Sequence, residues 1–339
     1  MRKLLFITLF TLLTYPVLLA QDQTFKFEDK ETLTLAFGSC NRQNMEQPLW
    51  DPIMNHNPDL FMFLGDNIYG DTDDMNVLEK KYEVQKNHPD YKKLRNQMPV
   101  IGVWDDHDYG KNDAGKEYPY KEESQQLFLD FFDVSEDDAR RERKGAYSSY
   151  DLKWKSHTIK VILLDARYHR DDLDRENRVY QKNETGSILG EEQWAWLEKE
   201  LSDESISLYI LASGIQFVPE DHDYEKWANF PQERQKLFNL IKEKEPKGAI
   251  FLSGDRHIAE ISSIQVEGLN YPLLDVTSSG LTHTWQNAPQ EPNQHRIGRL
   301  VNELNYGLVK IEETESGLRV ISEIRGKDQE LLQVFGMVY

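Results

Sequence analysis

Four apolar runs in this chain each stop on residue types that bind metals, and this recurrence constrains the fold more than any other feature. Residues 33–37, 60–64, 100–104 and 249–252 run into Phe37-Gly38-Ser39-Cys40, Gly65-Asp66-Asn67-Ile68-Tyr69, Trp104-Asp105-Asp106-His107-Asp108 and Ser253-Gly254-Asp255-Arg256-His257. A short apolar run bounded by turn residues reads as a strand buried on both faces. In open α/β sheets, ligands collect just beyond the carboxyl ends of the strands. One such string by itself could be a turn whose Asp or Gly serves the backbone. Four together, bearing Cys, Asp, Tyr and His, point to one polynuclear metal site.

The rest of the chain supplies the frame. Residues 75–98 read as a charged helical stretch broken at Pro89, and 122–132 as a helix with Leu127, Phe128, Phe131 and Phe132 on its core face. Helices are also expected over 191–201 and over 231–244, the latter opening on Pro231. Residues 147–152 and 157–164 read as paired strands, and 208–212 as a strand ending at Ser213-Gly214-Ile215-Gln216. The charge-dense stretch 170–183 is expected to be a loop at the rim of the site. Strands dominate after residue 249. Helices alternating with strands early, and strands late, imply two packed sheets with helices outside, one largely parallel and the other more antiparallel.

The first twenty residues open Met1-Arg2-Lys3, continue apolar from Leu4 and reach a small residue at Ala20. A basic start, a short apolar stretch and a small residue read as a cleavable export signal. No Cys follows at the lipidation position, and the competing reading is an uncleaved anchor, since about 20 apolar residues can span a bilayer. Cleavage leaves residues 21–339, with no repeat, low-complexity stretch or Pro/Gly/Ser linker, so a single domain is expected. The expected location is periplasmic or secreted. The formal charge of −19 becomes two units more negative without Arg2 and Lys3. Nucleic-acid binding draws on phosphate neutralisation by Lys and Arg, so avid binding of that kind is not expected. The one cysteine, Cys40, has no partner for an internal disulfide. Its place at a strand end favours a metal thiolate over a buried structural thiol.

The donor types divide by chemistry. An unbound phenol has a pKa near 10, so Tyr69 as a ligand needs a cation acidic enough to take its proton, for which Fe(III) is the natural candidate. The Cys40 thiolate suits iron or zinc better than magnesium. Asp106, Asp255 and a shared Asp66 form an oxygen-only set suited to Ca²⁺, Mg²⁺ or Mn²⁺.

The four strings in this order resemble the alkaline phosphatase D (PhoD-like) family of calcineurin-like metallophosphoesterases. The resemblance runs from Phe37 to about Trp285, with Leu164-Asp165-Ala166-Arg167 and Thr277-Ser278-Ser279-Gly280-Leu281-Thr282-His283 as weaker marks. It implies a four-layer α/β/β/α sandwich of two mixed sheets flanked by helices, and a centre of Fe(III) with one or two Ca²⁺. Carried over position by position, Cys40, Asp66, Tyr69 and His257 are the iron set, and Asp66, Asp106 and Asp255 the calcium set, with Asp66 bridging. His107 corresponds to the histidine that contacts substrate phosphate, and Arg167 and Arg256 are candidates to neutralise phosphate oxygens. Gln216 stands where the superfamily often places another ligand, and Asn67 and His283 are weaker candidates. Larger members carry an N-terminal β-sandwich, whereas about twenty residues separate the signal from Cys40.

The function implied is an exported phosphoesterase acting on small phosphate monoesters or diesters through a metal-activated hydroxide. The alternatives are a phospholipase or other esterase on the same centre, and a non-catalytic phosphate-binding protein. Oligomeric state is not legible in the sequence.

Overall fold

The computed structural model describes residues 23–286 and 291–339. The expected export signal, residues 1–20, lies outside them. Among the described residues two large sheets pack face to face.

The smaller sheet has the order Leu331–Val338, Gly317–Arg325, Tyr306–Thr314, Thr32–Gly38, Leu60–Leu64, Val100–Val103. Its last three strands are mutually parallel, and the C-terminal strands join them antiparallel through Tyr306–Thr314 against Thr32–Gly38. The larger sheet has the order Gln23–Lys26, Ser148–Trp154, His157–Leu163, Leu208–Ser213, Ala249–Ser253, Leu273–Ser278, Ala259–Ile264, Arg296–Val301. The four consecutive strands from His157–Leu163 to Leu273–Ser278 are parallel, and the Ala259–Ile264 and Arg296–Val301 edge is antiparallel. Both sheets are therefore mixed, as the resemblance implies, and the smaller is the more antiparallel of the two. The reason is the C-terminal segment: its strands add to the open edge of the N-terminal parallel unit rather than forming a sheet of their own.

Alternation of side chains explains the layers. Ile159, Val161, Leu163, Ile210 and Leu252 face the inter-sheet core, which also holds Leu33, Leu35, Val309 and Ile311 from the other sheet. Ile162, Tyr209, Leu211 and Phe251 point the other way, onto Trp194 and Leu197 of helix Gly190–Glu200 and Leu237, Phe238 and Ile241 of helix Pro231–Lys244. On the opposite outer face, Phe61 and Phe63 meet the edge of Trp50 at centroid distances of 5.4 and 5.9 Å. Helices Met75–Lys86, Pro89–Gln97 and Lys121–Phe131 complete that layer. The order is α/β/β/α. All five residues of Leu60–Leu64 and of Ala249–Ser253 are buried, as strands covered on both faces must be.

The helical stretch 75–98 does break at Pro89, which opens the second helix. The elements not anticipated from the sequence include the short helices Trp50–Met54 and Asp106–Tyr109, strands Gln23–Lys26 and Arg296–Val301, and a two-residue-per-strand hairpin, Arg175–Glu176 with Val179–Tyr180, inside the expected loop.

Candidate metal centre

The four strings leave strands of both sheets at one place. Gly254 shows how closely the sheets approach there: its amide donates at 3.0 Å to the Gly214 carbonyl within its own sheet, and a Cβ on it would lie 2.2 Å from the carbonyl oxygen of Leu64 in the other. Each string then turns sharply. Cys40, Asp66, Asp255 and His257 all have positive φ, at 59°, 49°, 67° and 52°. Non-glycine residues seldom adopt this conformation, and it persists only where the surroundings enforce it. One enforcing group is the buried Asp108 carboxylate, which accepts from the amides of Asp66 (3.1 Å) and Asp105 (2.7 Å) and from Asn67 Nδ2 (2.5 Å). It ties the second string to the third. The Cys40 turn is closed by Asn41 N–H donating to the Asp66 carbonyl (2.9 Å) and by Thr282 Oγ1 donating to the Cys40 carbonyl (3.0 Å).

Three overlapping donor groups result, in each of which the candidate ligand atoms lie within 4.8 Å of one another. Cys40, Asp66 and His257 form the first, and Tyr69 joins it: its hydroxyl is 3.1 Å from Asp66 Oδ2 and 2.9 Å from His257 Nε2. Asp66, Asp106 and His107 form the second; Asp105, Asp106 and Asp255 form the third. Asp66 and Asp106 each belong to two groups.

Electrostatics say what this cluster lacks. Burial pushes the Cys40 thiol, the Tyr69 phenol and the Asp105 and Asp255 carboxyls well up, and raises Asp66 to about 8. Neighbouring acids add to the effect, because like charges cannot all ionise in one dry pocket. Burial, then His283 and His107, lowers His257 to about 3, so its imidazole is neutral and free to ligate. One oxygen each of Asp66 and Asp105 is buried with no hydrogen-bond partner among the described residues. Buried acids in this number, with orphaned oxygens, fit bound cations: positive charge would favour the ionised ligands that burial disfavours. The mixed sulfur, phenol, carboxylate and imidazole group fits a hard, highly charged metal tolerant of sulfur, and the all-carboxylate group fits a cation that prefers oxygen.

Every expected metal ligand thus converges. The other expected residues separate. His107 borders the cleft, its Nδ1 2.7 Å from Asp71 Oδ1; burial lowers its pKa, but Asp106, Asp66 and Asp71 outweigh burial and raise it to about 11. Arg256 also borders the cleft, pairs with Glu291, and lies over the Tyr224 ring at 4.3 Å. Arg167 sits elsewhere than a residue that grips phosphate would. It has no exposed side-chain surface and is held between Asp105 (2.5 Å) and Glu225 (2.6 Å), with Arg170 on the far side of Glu225 at 2.8 Å. Gln216 is fully buried, its amide nitrogen donating to Glu260 and Thr277 and its oxygen 2.9 Å from His222 Nε2. That network occupies the oxygen a cation would need. His283 packs its ring 4.5 Å from that of His257, and Asn67 Nδ2 donates to Asp108 and the Val103 carbonyl while its Oδ1 is buried with no hydrogen-bond partner among the described residues.

Sequence reasoning passed over Asp105, Asp108, Asp71 and Glu225. Asp105 and Asp108 were visible as three carboxylates within Asp105-Asp106-His107-Asp108; Asp71 and Glu225 carried no local signal. The donor groups open into a cleft of about 300 Å³, whose walls include Arg175, Tyr180, Tyr224, Glu225 and Trp285. Among the described residues no helix is long and apolar enough to cross a membrane.

Comparison with known proteins matches the PhoD-like phosphatase family over residues 35–286. Alkaline phosphatase D of Bacillus subtilis (strain 168) is 23% identical over 310 aligned residues, covering 73% of this chain and 51% of that protein. The chain therefore spans about half the length of this curated relative. A solved structure of PhoD superposes with a TM-score of 0.73 at 17% identity, covering 90% of this chain and 72% of that one, and so shares the fold.

Proposed function

The chain belongs to the PhoD-like phosphatase family, and from that premise we propose that it is a metal-dependent phosphoesterase acting on small phosphate monoesters or diesters. The observation that carries the reading is the sharing of Asp66 and Asp106 among three donor groups at strand ends drawn from both sheets. Cys40, Asp66, Tyr69 and His257 would hold Fe(III), and Asp66, Asp106 and Asp255 would hold Ca²⁺, with the newly seen Asp105 beside them. Bound there, the cations would supply charge to draw in phosphoryl oxygens and acidity to activate water for in-line attack.

The chain's own groups do the rest. His107, kept cationic by Asp106, Asp66 and Asp71, presents a donor to the cleft where phosphate charge grows. Once cations offset those carboxylates its proton becomes easier to release, which suits donation to the leaving alkoxide. Arg256 offers a second cationic edge at the cleft wall. Arg167 is assigned a positioning role instead: it holds Asp105, and through Glu225 the cleft wall, in place. In the same reading residues 21–339 act as one domain, exported under the first twenty.

The test is hydrolysis of p-nitrophenyl phosphate and bis-p-nitrophenyl phosphate, with calcium and iron supplied, by wild type beside Asp66→Asn. Loss of turnover by about a hundredfold or more in the variant is expected, the scale seen when a charge-stabilising group leaves a catalytic site. Turnover that survives the substitution would overturn the shared-ligand role, and the ratio of the two esters sets the ester class.

A further inference from the structure

Hydrolysis at the carboxylates needs no aromatic residue, yet three rings and two guanidinium planes line the cleft beside them: Tyr180, Tyr224, Trp285, Arg175 and Arg256. A chain of contacts sets their placement. Arg175 and Tyr180 are cross-strand partners in the small hairpin, with the guanidinium 4.7 Å over the ring. The two residues between its strands, Asn177 and Arg178, have φ of 51° and 72°, as in a type I′ turn whose twist suits a hairpin. The Tyr180 amide donates to the Asp223 carbonyl at 3.1 Å, fastening the hairpin to the segment that carries Tyr224. Tyr224 meets Trp285 edge to face, with centroids 5.4 Å apart and ring planes at 86°. The Trp285 amide in turn donates to the His257 carbonyl at 2.9 Å, so the indole is referenced to the donor set itself.

Much of the charge at this rim is paired. Arg256 is paired with Glu291, Arg175 lies 3.6 Å from Asp113, and Glu225 is held by Arg167 and Arg170. What sets the rim apart from the carboxylates is its ring faces and edges, held among charged and polar groups. Such surface rewards a planar ring through stacking and edge contacts, whereas an aliphatic group of equal size gains burial alone. A cleft of about 300 Å³ has room for a phosphoryl group and one ring.

We propose that this rim is a leaving-group subsite, and that the substrates are phosphate esters whose alcohol carries a single planar aromatic ring close to the ester oxygen. The inference rests on the phosphoesterase reading and specifies its substrate class.

Benzyl phosphate and cyclohexylmethyl phosphate provide the test, since both release a primary alkoxide of similar basicity and bulk. Their kcat/KM ratio thus reads the ring rather than the chemistry. The metal-loaded enzyme is expected to favour the benzyl ester by about three- to tenfold. The ratio should fall below about twofold in Trp285→Leu and in Tyr224→Leu, and be kept in Trp285→Phe, each variant first shown to hold its metals and melt as wild type does. Equal turnover of the two esters by wild type would overturn the subsite and leave the phosphoesterase reading standing. A preference that survives both leucine variants would likewise overturn the assignment to this rim. Failure on both esters while p-nitrophenyl or bis-p-nitrophenyl phosphate is still hydrolysed would overturn the subsite alone; failure on all four, with metals measured in place, would overturn both readings.

Discussion

In the proposed reading Arg167 serves the site without meeting the substrate. Its guanidinium is wholly buried between Asp105 and Glu225, and removing it would strand two carboxylates in a dry interior. Breaking a buried ion pair from one side costs about 3–5 kcal/mol. Arg167→Met is therefore expected to lose stability on that scale in urea unfolding. A variant with wild-type stability but a raised KM would instead place Arg167 on the phosphate. Tyr69 gives a second residue-level prediction. Burial, then Asp66, pushes its phenol well up, so only a strongly acidic cation would ionise it. The iron-loaded protein should show a visible absorption band that Tyr69→Phe lacks. A colourless, iron-free and fully active protein would remove iron from the account.

At the scale of elements, the site depends on strands that end in turns too tight for ordinary backbone. Gly65 closes Leu60–Leu64 with φ of +88°, and a Cβ there would lie 2.4 Å from Asp105 Cβ. Gly65→Ala would strain its own backbone and push on Asp105 together. It is expected to cost more than about 1 kcal/mol and to weaken metal retention roughly ten- to a hundredfold, as loss of ligand support does. Thermal melting and metal content after dialysis would check this; unchanged values for both would show that the turn has slack. The long helices were legible because their apolar spacing and prolines are local: Pro231–Lys244 runs from the residue expected to the residue expected. The hairpin at Arg175–Tyr180 was not, because strands of two residues are too short to show a period.

Across the whole molecule, a chain of net charge −19 concentrates acids in one dry cluster. Burial raises Asp66 to about 8 from an ordinary value of 3.8. Between those two pH values the cation-free folded state binds a proton that the unfolded state does not. Its contribution to stability is then whole below about pH 4 and is lost as pH rises towards about 8. Bound cations would replace the proton and reverse the loss. Chelation is therefore expected to lower the melting temperature more at pH 8 than at pH 5. An equal drop at both would count against a carboxylate-rich centre. Because one apolar core takes side chains from both sheets, the two sheets are expected to unfold together, in a single transition.

By itself the sequence named the candidate donors at the four strand ends, since residue types, their spacing within each string and the glycines beside them are all local. It also determined that these strings end buried strands, because an apolar run covered on both faces has few other fates. Tertiary structure decided which donors meet, drawing Asp105 in beside Asp106 and Asp255 and leaving Gln216 in a network of its own. It decided that Tyr306–Thr314 pairs with Thr32–Gly38, about 270 residues apart in the chain, and that Trp285 hangs from His257 at the cleft. These contacts arise from strand register and from how two sheets pack. Neither is encoded in the periodicity of any single segment.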